Sequence, residues 1–267
     1  MITYNLIGMA LVKEELQKLK RRALRVVRIL KKLLPHAKIS LKFSNNWELL
    51  VAVILSAQCT DKKVNEVTER IFKKYLSLKD YVHVNQKEFE QDIRSTGFYR
   101  NKAKNILATA KLVKEKFGGK IPRTMKEILT LPGVARKTAN VVLGNAYGVV
   151  EGIAVDTHVR RLTKLLGFTS HTDPEKIEKD LMAILPKKEW FDFTYRMIEY
   201  GRKYCPARPH DHANCPLSKM KLPTASRGVS SGILQSQPSL PTPPKQPLLL
   251  RRLGISAVSC GVFGDGE

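Results

Sequence analysis

Hydrophobic residues recur every three or four positions along most of the chain, which is the spacing of amphipathic helices. The predicted helices cover residues 13–34, 47–56, 102–117, 135–144, 157–166 and 188–203, and two more begin after Thr60 and Asn85. Thr124 with Glu127, and Thr172 with Glu175, have the capping-box pattern that opens a helix. Strand patterns are weak, residues 149–155 being the most β-like. The pattern therefore predicts an all-α fold.

The sequence LPGVARKTANVVLG, at residues 131–144, is the most informative local pattern. Pro132 ends the preceding helix, and Gly133 permits a tight turn. A new helix begins near Ala135, and the amides of its first turn have no partner within the helix. With the positive end of the helix dipole, they favour an anion such as a DNA phosphate. We expect a helix, a hairpin and a second helix over residues 124–144.

Two polar residues stand beside predicted helix starts. Lys137 lies in the first turn after the hairpin, and Asp156 stands within AVDTHVRR, just before the next helix. A lysine amine that has lost its proton is a nucleophile, and a carboxylate can assist proton transfer. The ordinary alternatives are a solvated lysine and an aspartate that caps a helix. The residues alone leave both possibilities open.

Charge and cysteine content limit the classes of function. The chain has 267 residues with a formal net charge of +23, which favours a polyanionic partner, and nucleic acid before a membrane surface. It contains no apolar run long enough for a membrane span, and its N-terminal apolar run lacks the basic segment of a signal peptide. The four cysteines are too few and too scattered for a secreted disulfide scaffold, which indicates a reducing compartment.

Several motifs in order resemble one family. LPGVARKTANVVLG followed by AVDTHVRR, together with LSAQ at residues 55–58 and TGFYRNKA at 96–103, is similar to the endonuclease III family of the helix-hairpin-helix DNA glycosylase superfamily. The resemblance covers about residues 41–215. It implies two helical domains with a DNA cleft between them.

The resemblance and the composition together divide the chain. The expected parts are an N-terminal helix (1–40) packing on the C-terminal domain, a helical-barrel domain (41–155), a C-terminal helical domain (156–221) and a tail (222–267). The tail is rich in Ser, Pro and Gly, which predicts disorder.

The resemblance also implies an activity and its residues. The chain would be a base-excision-repair DNA glycosylase with abasic-site lyase activity, in which Lys137 is the nucleophile and Asp156 is the essential carboxylate. Its partner would be duplex DNA with an oxidised pyrimidine or an abasic site, and we expect a cytoplasmic, nucleoid-associated monomer. The expected DNA contacts are Gln58, Phe98, Lys102, Gly133, Val134, Ala135, Arg136, Thr138 and Arg160. Gln58 and Phe98 would fill the gap left by a flipped base.

Two alternatives remain. The first is a glycosylase that removes a mispaired base without nicking the strand. Family members of that kind generally lack a lysine at the position of Lys137. A non-catalytic DNA-binding protein that uses the hairpin to hold phosphate is the other. Retention of both Lys137 and Asp156 disfavours it.

The family closes with four cysteines, spaced C-x6-C-x2-C-x5-C, that hold a [4Fe–4S] cluster. The matching residues are Cys205, His212, Cys215 and Lys221, so only two cysteines remain, with His212 as an alternative ligand. A protonated lysine has no lone pair for iron. The loop over residues 205–221 is therefore degenerate, and we predict little or no iron in the protein.

Overall fold

The computed structural model describes residues 2–220, with side chains from residue 13 onward. The helices are α1 (Ile2–Leu33), α2 (Asn46–Leu55), α3 (Asp61–Lys74), α4 (Leu78–His83), α5 (Gln86–Asp92), α6 (Tyr99–Lys116), α7 (Met125–Ile128), α8 (Arg136–Tyr147), α9 (Thr157–Leu165), α10 (Pro174–Ile184) and α11 (Trp190–Lys203). Residues 2–220 contain no strand, so the expected all-α fold is confirmed. Lys221, Cys260 and the predicted tail lie outside the described residues.

Short polar side chains set most helix starts. Thr60 Oγ1 accepts from the amide of Lys63 at 3.3 Å, and Thr124 Oγ1 accepts from Glu127 N at 3.3 Å. The capping box expected at Thr172 is wrong. The N-cap of α10 is Asp173, whose Oδ1 accepts from Lys176 N at 3.0 Å, because Pro174 takes the first helical position.

The first hydrophobic core is built by α2 to α8. Helix α2 is buried at seven consecutive positions, Leu49 to Leu55, and so lies at the centre of this core. Helices α6 and α8 both contact it. Around α2 pack fully buried side chains that include Ile71, Phe89, Ile106 and Val142. Burial on all sides explains why α2 has almost no polar face.

The second core combines the two ends of the described chain. Helix α1 contacts α10 and α11, and α11 contacts α9. The buried residues of this second core include Leu30 of α1, Leu162 of α9, Leu181 of α10 and Met197 of α11. Cys205 and Cys215 are buried in the same core. No helix within residues 2–220 is long and apolar enough to cross a membrane.

Candidate active site

A cleft of about 760 Å³ is lined by residues from both cores. Gln58 and Lys137 come from the side of the first core, and Asp156 and Tyr195 come from the side of the second. Three residues that the sequence placed in the site therefore meet in one cleft. A concave site that brings together a lysine, a carboxylate and a glutamine has the character of a ligand-binding or active site.

The hairpin positions Lys137 at one wall of this cleft. Gly133 has a φ of 77°, and a Cβ at this residue would lie 2.9 Å from Cβ of Asn105 on α6. Thr109, also on α6, donates its hydroxyl proton to the carbonyl of Pro132 at 2.8 Å. The close approach of Gly133 to Asn105 and the hydrogen bond from Thr109 place the hairpin against α6. Because α8 begins at Arg136, Lys137 is the second residue of the helix, and it is exposed.

A buried carboxylate fixes the same helix from the other core. Glu178 of α10 accepts from Arg136 Nε at 2.7 Å and from Asn140 Nδ2 at 2.9 Å. The hydrogen bond from Arg136 to Glu178 raises the pKa of the guanidinium. This network joins α8 to α10, so it holds the first turn of α8 relative to the second core.

Asp156 is the N-cap of α9. Its Oδ1 accepts from the amide of Val159 at 2.8 Å, which leaves its second carboxylate oxygen outside this cap bond. The pKa of the neighbouring His158 is lowered, mainly by burial. The negative charge of Asp156 raises this pKa, whereas the positive charge of Arg202 lowers it further. The two interpretations of Asp156 are therefore compatible, because one side chain can cap the helix and still line the cleft.

An ion pair joins the two cores at the cleft. Arg202 of α11 donates to Asp61 Oδ2 at 2.6 Å and to Ser40 Oγ at 3.2 Å, and Ser40 also donates to Asp61. Burial raises the pKa of Asp61, but the hydrogen bonds from Ser40 and Arg202 and the charges of Arg202 and Lys137 outweigh it, so the pKa lies below its ordinary value. The sequence analysis did not identify Arg202, because no local pattern links it to Asp61.

Gln58 and Phe98 share an unusual backbone. They are the two non-glycine residues with positive φ in the described chain, at 52° for Gln58 and 49° for Phe98. Both side chains are exposed, and 68% of Phe98 is accessible to solvent. A left-handed conformation in a non-glycine residue costs about 1–3 kcal/mol and is concentrated at functional sites. Phe98 is thus not a core aromatic residue.

Lys102 does not have the position that the sequence analysis expected. It is only 5% exposed, and its Nζ donates to the carbonyls of Leu55 and Thr96, both at 2.8 Å. Burial lowers its pKa. The prediction that Lys102 contacts a phosphate is wrong, because its ammonium is enclosed and bound to two backbone carbonyls. It instead joins the segment before Gln58 to the segment before Phe98.

The remaining expected DNA contacts lie on the outside of the hairpin and of α9. Gly133, Ala135 and Arg160 are exposed, and Arg136 and Thr138 are half-buried. Val134 is buried in the first core, and its amide donates to the carbonyl of Leu131 at 3.1 Å, so its side chain offers no surface to a ligand. Exposed positions of this kind are compatible with contacts to a phosphate backbone, and these contacts stay a prediction.

The loop after α11 brings four metal-ligating side chains together. One ligand atom from each of Cys205, His210, His212 and Cys215 lies within 4.8 Å of the others. His210 was not among the predicted ligands, because it does not occupy a cysteine position of the family spacing. The fourth position of that spacing, Lys221, lies outside the described residues.

Known proteins similar to this chain agree on one family. Residues 51–187 match the HhH-GPD superfamily of base excision DNA repair proteins. Endonuclease III of Synechocystis is 48% identical over 201 residues, which cover 75% of this chain and 92% of the relative. Endonuclease III of Bacillus subtilis is 50% identical over 184 residues, covering 68% and 84%.

Solved structures give the same result. A trapped endonuclease III–DNA covalent intermediate matches with a TM-score of 0.72 and 47% identity, covering 76% of this chain and 95% of that one. A thermostable thymine-DNA glycosylase, at 21% identity and a TM-score of 0.67, shares the fold. The chain therefore belongs to the HhH-GPD superfamily of base excision DNA repair proteins and, within it, to the endonuclease III family.

Proposed function

We propose that this DNA glycosylase and abasic-site lyase uses Lys137 as its nucleophile and Asp156 as its assisting carboxylate. The observation that carries the proposal is the position of both side chains in one cleft, each at the start of a rigid helix. A relative that is covalently trapped on DNA supports the same class of chemistry. Lys137 disfavours a glycosylase that releases a base without nicking, since such an enzyme needs no amine at this position.

The reaction uses the two residues in sequence. The amine of Lys137 attacks C1′ of the damaged nucleotide, the bond from C1′ to the base breaks, and the base leaves with the electron pair and takes up a proton. The sugar ring then opens to give a Schiff base. Loss of a C2′ proton expels the 3′ phosphate and cuts the strand. Asp156 stabilises the positive charge that develops on the sugar and assists proton transfer.

The target nucleotide must leave the base stack to reach this cleft, because C1′ is inaccessible within the duplex. We propose that Gln58 and Phe98 occupy the vacated space. Their side chains are already exposed in the structure without DNA, and both residues have a left-handed backbone. The segments that precede them are joined by the hydrogen bonds of Lys102 to Leu55 and Thr96. An apolar side chain such as Phe98 suits a wedge between base pairs.

Phosphates outside the cleft hold the duplex. The exposed hairpin residues Gly133 and Ala135 and the first-turn amides of α8 form one contact, and Arg160 supplies a cation on α9. Arg136 and Thr138 complete the set. We assign the two sides of the cleft to the domains expected at 41–155 and 156–221, with the N-terminal helix belonging to the second.

The substrate class follows from the family. We propose an oxidised pyrimidine or an abasic site in duplex DNA as the substrate, and the nucleoid in the cytoplasm as the place where the enzyme meets it. The net charge of +23 supports binding to a polyanion of this kind.

Endonuclease III proteins hold a [4Fe–4S] cluster, and we propose that this chain does not. The described part of the loop after α11 offers two sulfur ligands, Cys205 and Cys215, and two histidines, His210 and His212. A cubane of iron and sulfide is normally held by four cysteine thiolates. The proposed reaction uses no group from this loop.

Borohydride trapping tests the proposal. The wild type is incubated with a duplex that carries one thymine glycol and then reduced, and Lys137→Ala and Lys79→Ala are compared with it. We expect a covalent adduct with the wild type and with Lys79→Ala, whose lysine is exposed on α4. Lys137→Ala should bind the duplex and form none.

Each of the other outcomes would support a different function for this protein. An adduct with Lys137→Ala would show that another amine is the nucleophile. Release of the base by the wild type without an adduct would favour the monofunctional alternative. Binding of the duplex without any reaction would favour the non-catalytic one.

A further inference from the structure

The loop after α11 brings four donors to one point. His212 Nδ1 lies 3.6 Å from Cys205 Sγ and 3.8 Å from Cys215 Sγ, and His210 Nε2 lies 3.2 Å from Cys215 Sγ. We propose that these four residues hold one zinc ion in a tetrahedral Cys2His2 site, where relatives hold an iron–sulfur cluster.

The separations are those expected around a single ion. Zinc–sulfur bonds of about 2.3 Å and zinc–nitrogen bonds of about 2.0–2.1 Å in a tetrahedron place sulfur about 3.6 Å from nitrogen. The sulfur–nitrogen distances of 3.2, 3.6 and 3.8 Å lie on both sides of this value. All four donors lie within 4.8 Å of one another, so one ion can contact each.

The same distances disagree with a cluster. A four-iron cubane binds its four ligands on four different irons, and a two-iron cluster with two histidines binds the histidines on one iron and the cysteines on the other. Both require ligands spread around a group of several atoms. Here His212 Nδ1 lies 3.6 and 3.8 Å from the two cysteine sulfurs, and His210 Nε2 lies 3.2 Å from one of them, so the histidines are not separated from the cysteines. The arrangement mixes the two ligand types around one centre.

Neighbouring groups orient the ligands. His210 Nδ1 lies 2.9 Å from the carbonyl oxygen of Arg208, and a proton on Nδ1 donated to this oxygen leaves the lone pair of Nε2 for a metal. The Arg161 guanidinium lies 3.7 Å from Cys205 Sγ and also donates to the Cys205 carbonyl. A cation at this position balances the negative charge that a metal-bound thiolate keeps.

The site is a closed and structural one. Cys205 and Cys215 are 1% and 3% exposed, whereas His212 is exposed at the outer side. Leu217 N donates to the Tyr200 hydroxyl at 3.0 Å, so the chain beyond the site returns to α11. Four protein ligands leave no open position for substrate or water, which is the arrangement of structural zinc. Soft sulfur with imidazole in a tetrahedron also favours zinc over hard cations.

Metal analysis of the full-length protein tests this inference. The protein is expressed with iron and zinc both supplied, purified without chelator, and analysed for zinc, iron and acid-labile sulfide. We expect about one zinc per chain, with iron and sulfide near background. Replacement of zinc by cobalt should give the intense visible absorption of tetrahedral cobalt, with a thiolate-to-cobalt charge-transfer band.

Variants separate this site from the family's cluster spacing. His210→Ala should lose most of the zinc, although residue 210 lies outside that spacing. Lys221→Ala changes a residue within the spacing and should keep about one zinc per chain, as should His171→Ala, whose histidine contacts Asp180 instead. A zinc chelator should lower the melting temperature of the wild type and of Lys221→Ala. This measurement needs no variant that might misfold.

Three results would overturn the inference. Two or four irons per chain with equal sulfide would show a cluster. Full zinc content in His210→Ala would remove His210 from the site. Wild-type protein that takes up neither zinc nor cobalt, and whose melting temperature a chelator does not change, would show that the four side chains hold no ion.

Discussion

Lys137 and Lys102 stand near the starts of α8 and α6, in two segments that both carry the family pattern, and their surroundings differ completely. Lys137 is exposed in the cleft, which Asp156 and Asp61 also line. Lys102 is 5% exposed and bound to two backbone carbonyls. One lysine is available to DNA, and the other joins the end of α2 to the segment before Phe98. The comparison shows that a basic residue near a DNA site has to be assigned from its burial and partners.

The same substitution at both lysines should separate the two roles most strongly. Lys137→Met should abolish the borohydride-trapped adduct, because no amine remains to form it, and should leave the free energy of unfolding within about 0.5 kcal/mol of the wild type. Trapping and urea denaturation measure the two quantities. A Lys137→Met protein that is strongly destabilised would mean that the two lysines do not differ as proposed.

The carboxylate of Asp156, which lines the same cleft as Lys137, should show the next largest effect. Asp156→Asn keeps an oxygen for the amide of Val159 but removes the negative charge, so the fold should persist while base release falls by about 10²–10⁴-fold. Single-turnover kinetics on a thymine glycol duplex measures the rate, and circular dichroism checks the fold. Turnover at the wild-type rate would leave Asp156 with a capping role alone.

Lys102→Met should affect stability first. It leaves the carbonyls of Leu55 and Thr96 without their donor, which costs about 1–3 kcal/mol of unfolding free energy. Lys104→Met, at an exposed position on the same helix, is the matched control and should change stability by less than about 0.5 kcal/mol. Equal stability of both variants would show that the hydrogen bonds of Lys102 do not stabilise the fold.

The smallest effect concerns pH. Burial lowers the pKa of Lys102, so between its folded pKa and its unfolded value of 10.5 the unfolded state binds more protons. The penalty for burying the charge is complete at low pH and is removed as pH rises through this window. The stability advantage of the wild type over Lys102→Met should therefore grow from neutral toward alkaline pH. Urea denaturation of both proteins at several pH values would show it, and a constant difference would contradict it.

Helix positions could be predicted because they depend on local signals, whereas the meeting of Lys137 and Asp156 was expected only from the family resemblance. Apolar spacing identified the helices, and short polar residues identified starts such as those at Thr124 and Asp156. The family pattern joined Lys137 to Asp156. The short α4 was not predicted, since six residues carry too little periodicity, although Ser77 and Asp80 form its capping box.

Features that depend on distant contacts could not be predicted. Nothing local to Lys102 indicates that the carbonyls of Leu55 and Thr96 will enclose it. The Arg202–Asp61 pair joins residues 141 positions apart. The turn of the loop after α11 places His210 among the metal-ligating side chains, whereas the family spacing predicts a ligand at the position of Lys221. Burial and long-range pairing are properties of the folded chain.

Under the role proposed for Gln58 and Phe98, their left-handed backbones have a consequence for the search along DNA. An enzyme that inspects many intact base pairs for each damaged one repeats its probing step at every pair. If the probing loop had to become ordered each time, every inspection would carry that entropic cost. Here the cost is met once, during folding, by the packing that holds both residues in place. The speed of inspection is then set by how readily each base pair opens, and a weakened pair is the one that yields first.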